Sequence, residues 1–284
     1  MMRKIVNIFM LLLILSSLSC HKANKETDEP RYVVLSPEIA EILAALGLES
    51  RIVGLTDECT YPPSLREIPK VGAFGAIKTE NVIALKPSLI FSSGLEQEGI
   101  SQDLQRLGYE VVSVYPQSVA QIYEEIKRVG AITGTDKEAE TLVQSMQSEI
   151  GAIRQSTAGK IVPKVYLEIY RDPLMSVADN SFVGELIEIA GGNNVFDTLE
   201  RDYSRVKAEA VIAAKPDIMI CYSQDSSKNI RNRKGWQDIP AIRDSMIFFE
   251  DSIDPDLIQR AGPRIVEGLR KLSQIYDYYR ESIR

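Results

Sequence analysis

Histidine is nearly missing from this chain: there is one in 284 residues, His21, near the N-terminus. That scarcity excludes much chemistry from the body of the protein. A zinc or manganese centre built on imidazoles has no ligands there, so no metal site is expected. Neither a Ser-His-Asp nor a Cys-His catalytic set can be assembled. No Gly-x-x-x-x-Gly-Lys phosphate loop occurs. Cysteine is almost as scarce. Apart from Cys20 there are only Cys59 and Cys221, one in each half. They read as two packed thiols rather than a disulfide across a moving cleft. Basic charge is also in deficit, with 33 Lys and Arg against 40 Asp and Glu and a net charge of −7. Loss of Arg3 and Lys4 with a leader takes it to about −9, which argues against a nucleic-acid partner.

Long hydrophobic runs are lacking too. The one at residues 5–15 follows Arg3 and Lys4 and is too short for a comfortable membrane span. It leads into Ser16-Ser17-Leu18-Ser19-Cys20, which looks like a lipoprotein cleavage box with Ser17 where leucine is usual. Residues 1–19 are therefore read as a signal peptide, and Cys20 as a lipidated N-terminus that tethers the chain without crossing the membrane. Residues 20–30 are polar and read as a flexible tether. The chain is expected to be exported, facing the periplasm or the outer cell surface.

What is present is a repeat. Residues 80–90 read Glu80-Asn-Val82-Ile83-Ala84-Leu-Lys86-Pro87-Ser-Leu-Ile. Residues 209–219 read Glu209-Ala-Val211-Ile212-Ala213-Ala-Lys215-Pro216-Asp-Ile-Met. Six of the eleven positions are identical. A repeat of this length implies two similar lobes, and two lobes imply a cleft that holds something. Around each copy, short apolar runs alternate with helical spacings. Residues 32–35, 51–55, 89–91, 111–114, 165–169, 218–221 and 246–249 read as strands. Strand, helix, strand in this order predicts parallel sheets with helices on their faces. Ser36-Pro37 and Thr79 read as helix starts. Between the copies, Thr135-Asp-Lys-Glu138 reads as a capping box. Behind it Ala139, Leu142, Val143, Met146, Ile150 and Ile153 predict a helix of about 20 residues. The fold expected is α/β: two Rossmann-like lobes, residues 31–134 and 159–284, joined by one long helix over residues 135–158.

Leu35-Ser36-Pro37-Glu38, the Asp57-to-Pro63 segment Asp-Glu-Cys-Thr-Tyr-Pro-Pro, both Glu-x-Val-Ile-Ala-x-Lys-Pro segments and Arg260-Ala-Gly-Pro-Arg264-Ile together resemble the substrate-binding proteins of ABC importers. The resemblance is to the class III periplasmic binding proteins of the vitamin B12 and ferric siderophore family, and covers nearly all of residues 31–284. It implies a binding protein rather than an enzyme, without a cofactor, working as a monomer. Its partners would be a permease dimer with its ATPase, a membrane reached through the N-terminal lipid, and a small ligand, cobalamin. It assigns Glu80 and Glu209 to permease docking, and the helix dipole favours a carboxylate in each first turn. It assigns the ligand pocket to Pro37, Tyr61, Phe74, Tyr203, Asp256 and Arg260, with Met175 at a position where a ring is usual. Trp236 lines the rim or packs beneath it. Aromatic faces suit a broad macrocycle, and Asp256 with Arg260 can pair on one helical turn. Other readings are a ferric siderophore or haem, the latter held by Tyr61 or Tyr203, and a secreted hydrolase with Glu80 and Glu209 as acid and base.

Lipidation has a direct check. Cys20→Ala is expected to move the protein from the membrane fraction to the soluble one on cell fractionation. Unchanged fractionation would refute the anchor.

Overall fold

A computed structural model of the chain describes residues 29–223 and 227–284; Cys20, His21 and the leader lie outside them. The first half runs β1 (Tyr32–Val34), α1 (Pro37–Ala45), β2 (Ile52–Leu55), β3 (Gly72–Ala73), β4 (Ala76–Ile77), α2 (Thr79–Ala84), β5 (Leu89–Ser93), α3 (Glu98–Arg106), β6 (Val111–Val114), α4 (Val119–Thr133) and α5 (Asp136–Thr157). The second runs β7 (Lys164–Glu168), β8 (Tyr170–Arg171), β9 (Leu174–Val177), α6 (Phe182–Ile189), β10 (Asn193–Asn194), β11 (Tyr203–Arg205), α7 (Ala208–Ala214), β12 (Ile218–Cys221), α8 (Ser227–Arg231), α9 (Pro240–Arg243), β13 (Ile247–Phe248), α10 (Asp256–Gln259) and α11 (Ile265–Ser282).

Each half builds a four-stranded parallel sheet, in the orders β2-β1-β5-β6 and β10-β7-β12-β13. The repeat occupies equivalent places in both. α2 leads into β5 and α7 into β12, each the strand beside the first of its lobe. Val82 and Val211 are fully buried under their sheets. Lys86 and Lys215 both turn left-handed, at φ 47° and 50°, immediately before a proline. Proline disfavours helical geometry in the residue ahead of it and cannot continue the helix, so the shared Lys-Pro stops both helices in the same way.

Strand alternation divides the core. On one face of the first sheet lie Val33, Leu35 and Ile90, with Val82. On the matching face of the second lie Tyr166, Met219 and Cys221, with Val211 and Trp236. The other faces belong to one continuous core running through both lobes, from Val34 and Phe91 through α4, α5, α6 and α11 to Val165 and Ile220. The 22-residue helix α5 crosses from one lobe to the other and is about 33 Å long at 1.5 Å per residue. Cys59 and Cys221 are free, buried thiols, each within bonding range of a hydroxyl, Thr56 and Ser223.

Several local readings are corrected. Ser36 precedes Pro37 at the first helical position, but its hydroxyl makes no capping bond. Thr79 is already inside α2, behind Lys78. Thr135 does not close a capping box. Its hydroxyl meets that of Thr133 at 2.8 Å, a local alternative that competes with the cap. Helix α4 was not anticipated, although Ser118 caps it and Val119, Ile122, Ile126 and Val129 form its buried stripe. The antiparallel sheet β11-β9-β8 was also missed.

The two copies of the repeat make matched demands on stability. Val82→Ala and Val211→Ala are each expected to cost about 2 kcal/mol in urea unfolding. Glu209→Ala, at an exposed first-turn position, is expected to stay within about 0.5 kcal/mol.

Candidate functional site

The C-terminal ends of parallel strands are where an open α/β sheet presents its binding residues, and the two lobes face each other there. From the first lobe come Glu38 at the start of α1, Phe74 between β3 and β4, Ser93 at the end of β5, Glu96, and Tyr115 and Pro116 just after β6. The second lobe supplies Ser181 and Phe182 at the start of α6, Asp202 and Tyr203 at β11, and Gln259 and Ala261 beside α10. They enclose a cavity of about 130 Å³.

Buried Gln97, which the sequence reading passed over, organises the first-lobe wall. Its side-chain amide donates to the carbonyls of Leu35 at 2.8 Å and Phe74 at 3.1 Å. Its Oε1 accepts from Ser93 N at 2.9 Å. One amide therefore joins the exit of β1, the Phe74 turn and the end of β5. The Phe74 backbone N–H donates to Glu58 at 2.8 Å, which holds the turn from its other side. A lone glutamine has no periodicity to betray it; only the meeting of three segments gives it a role.

At the mouth, Asp202 accepts from Gln117 at 3.2 Å and from the Tyr115 hydroxyl at 3.5 Å, linking the lobes. Burial pushes the Tyr203 hydroxyl well above its ordinary range, and the neighbouring Tyr115, Asp202, Glu96 and Glu38 add to the effect. Tyr115 is pushed up by burial and then by Asp202.

Of the pocket residues expected from the sequence, Phe74 and Tyr203 line this cavity and the others do not. Trp236 does not line the cavity but is buried in the second lobe's own core, edge-on to Tyr166 at 6.3 Å and under the Arg233 guanidinium. Met175 sits on β9 two residues from Val177, which pairs with Tyr203, so it shares the Tyr203 side of that sheet outside the cavity lining. Pro37 is buried at the start of α1. Tyr61 lies outside the cavity lining. Its ring sits 4.0 Å from the Arg264 guanidinium, in a groove of about 420 Å³ among α1, α5 and α11.

The Asp256–Arg260 pair forms as expected, at 2.7 Å. Arg260 nevertheless has other partners. It donates to Glu41 at 3.1 Å and to the Glu58 carbonyl at 3.0 Å. Arg264 reaches the same Glu41 oxygen at 3.2 Å. Glu41 belongs to the first lobe and is 3% exposed; both arginines belong to the second. This triad is a buried clamp between lobes. Gly268 lets α11 approach α10 closely, since a Cβ there would lie 2.3 Å from the Leu257 carbonyl oxygen. Burial pushes the Glu41 carboxyl up, against the opposing pull of Arg264 and Arg260.

Glu80 and Glu209 are exposed in the first turns of α2 and α7, on separate lobes and outside the cavity. The hydrolase reading needs them to share one site, and the cleft is not it.

The periplasmic binding protein family matches residues 33–253. The chain belongs to that family. It is 30% identical over 255 residues to the Bacillus subtilis ABC transporter substrate-binding lipoprotein YvrC, covering 87% of this chain and 80% of that one. It is 26% identical over 248 residues to the vitamin B12-binding protein of Salmonella typhimurium, covering 86% and 88%. Among solved structures, the haem-binding protein RhuT of Roseiflexus sp. RS-1 superimposes with a TM-score of 0.79 at 24% identity, over 89% of this chain and 99% of that one. The fold is that of the class III proteins, and the protein is a substrate-binding component of an ABC importer. Such proteins work outside the cytoplasm with a permease and its ATPase, carrying a small molecule, and the family is one of binding proteins rather than enzymes.

The clamp has a measurable signature. Glu41→Ala leaves two arginines without their shared carboxylate and is expected to cost about 3 kcal/mol of unfolding free energy. A loss below about 1 kcal/mol in denaturant titration would show that the clamp is dispensable.

Proposed function

We propose that this protein captures a corrinoid in the cleft between its lobes and delivers it to the permease, anchored by lipid on Cys20. The observation that carries this reading is the wall of the cleft. Phe74, Tyr115, Phe182 and Tyr203 bring aromatic faces from both lobes to one cavity, as a broad, partly apolar macrocycle requires. The vitamin B12-binding relative supports the choice.

A cavity of 130 Å³ has room for a few water-sized groups and not for a whole macrocycle. Binding therefore has to widen the mouth. The Gln117–Asp202 and Tyr115–Asp202 links are long and lie at the edge, so they give way first. The Glu41 clamp and the continuous core hold the lobes together behind them. The motion is a parting at the rim, and α5 limits its extent.

Glu80 and Glu209 serve as docking points on the permease. They repeat at equivalent places on two lobes, as two symmetry-related basic pockets on a dimer would demand. The double variant Glu80→Ala/Glu209→Ala is expected to abolish uptake while cyanocobalamin binding, read by calorimetry, stays intact. Lost binding would refute the docking role. Calorimetry on the unaltered protein is expected to give tighter binding of cyanocobalamin than of haem or a ferric siderophore. No heat with cyanocobalamin would overturn the corrinoid reading.

A further inference from the structure

The cavity lining carries three carboxylates and, among the described residues, no lysine or arginine. Glu38 and Glu96 come from one lobe and Asp202 from the other. Arg260 pulls on Glu38 less strongly than the charge of Glu96 opposes it. Its guanidinium is committed to Glu41, Asp256 and the Glu58 carbonyl. The polar groups around the carboxylates are few and specific. Ser93 donates to Glu96 at 2.8 Å, and Gln117 and Tyr115 reach Asp202.

We infer that the cleft selects its ligand by charge: Glu38, Glu96 and Asp202 form an accepting wall that takes primary amides or cationic groups and rejects carboxylates. This rests on the corrinoid reading and says which corrinoids fit. An ionised carboxylate only accepts hydrogen bonds, on two oxygens, so its natural partner is a group with N–H donors to give. An amide-rimmed macrocycle presents such donors around its edge, and the small cavity is sized for an edge group. A ligand carboxylate at the same place meets like charge from both lobes and finds no lysine or arginine to pair with among the described lining residues. That is discrimination by repulsion, in which the unwanted ligand is penalised rather than the wanted one held more tightly.

Glu38 bears on this, because ligand N–H donors favour its ionised form over the neutral one. It is half-buried, and burial raises its carboxyl above the usual range, with the charge of Glu96 adding to the effect. Such a group weighs on stability in the ligand-free protein, and functional sites are where such groups are retained. Donors from a bound ligand relieve it.

The test is calorimetry on the full-length protein in detergent with two pairs of ligands, each pair differing in carboxylate charge. The first is dicyanocobinamide, with amide side chains, against its carboxylate counterpart dicyanocobyrinic acid. The second is haemin dimethyl ester against haemin. The amide corrinoid is expected to bind about tenfold or more tightly than the acid, a difference of one decade in Kd. Glu38→Gln and Asp202→Asn keep the shape of each side chain, and each is expected to narrow that ratio by about threefold or more. Two variants guard against either failing to fold. Equal binding of both corrinoids, or a ratio that neither variant moves, overturns the inference and leaves the corrinoid reading standing. If neither corrinoid binds, the corrinoid reading falls. The haem pair then decides: tighter binding of the ester sustains charge selection on another macrocycle, and binding of haemin as tightly as its ester, or of neither, overturns it.

Discussion

One carboxylate, Glu41, ties the two halves of this protein together. It sits buried on α1 and takes hydrogen bonds from Arg260 and Arg264, which belong to the end of the chain. A charge so deeply buried is tolerable only with partners of opposite sign, and both partners come from the other lobe. The lobes cannot slide at this point without exposing or orphaning a charge. The Arg264 guanidinium also covers Tyr61, so the same contact closes over the Tyr-Pro-Pro loop.

The second constraint is the core itself. Each sheet has a private face, closed by its copy of the repeat through Val82 or Val211. Each also has a common face, where α4, α5, α6 and α11 pack into one hydrophobic cluster. Parting the lobes along the common face would expose apolar side chains from both, whereas the rim is bridged by polar contacts of Asp202 with Gln117 and Tyr115. The cleft takes one wall from each lobe. Those walls combine aromatic rings with acceptor oxygens, and the combination gives the cleft its chemical character.

Much of this was legible in the chain. The repeat announced two lobes, and its Lys-Pro pair produces the same left-handed turn at Lys86 and Lys215. The spacing behind Asp136 announced α5, and the apolar runs announced the parallel strands. Glu80 and Glu209 were expected to open helices outside the cleft, and they do. Caps were read less well. A Ser or Thr before a helix has several local partners, and Thr135 took the hydroxyl of Thr133. The resemblance places Tyr61 in the pocket and leaves Trp236 open between the rim and the core beneath it, and a ring packs equally well against a guanidinium or in a core, where these two lie. The resemblance makes Arg260 a ligand donor, and its spacing from Asp256 predicts the pair that forms. A further partner, Glu41, lies 219 residues away in the sequence.

The sequence by itself determined the elements, the duplication and the exclusion of histidine-based chemistry, because periodicity, repetition and composition are local or additive properties. The tertiary structure alone decided which side chains meet. Gln97 became the organiser of one wall, Glu41 the clamp, and Glu38, Glu96 and Asp202 the accepting lining. Those roles depend on contacts between segments far apart in the chain, and no spacing along a strand or helix encodes a neighbour that arrives from the other lobe.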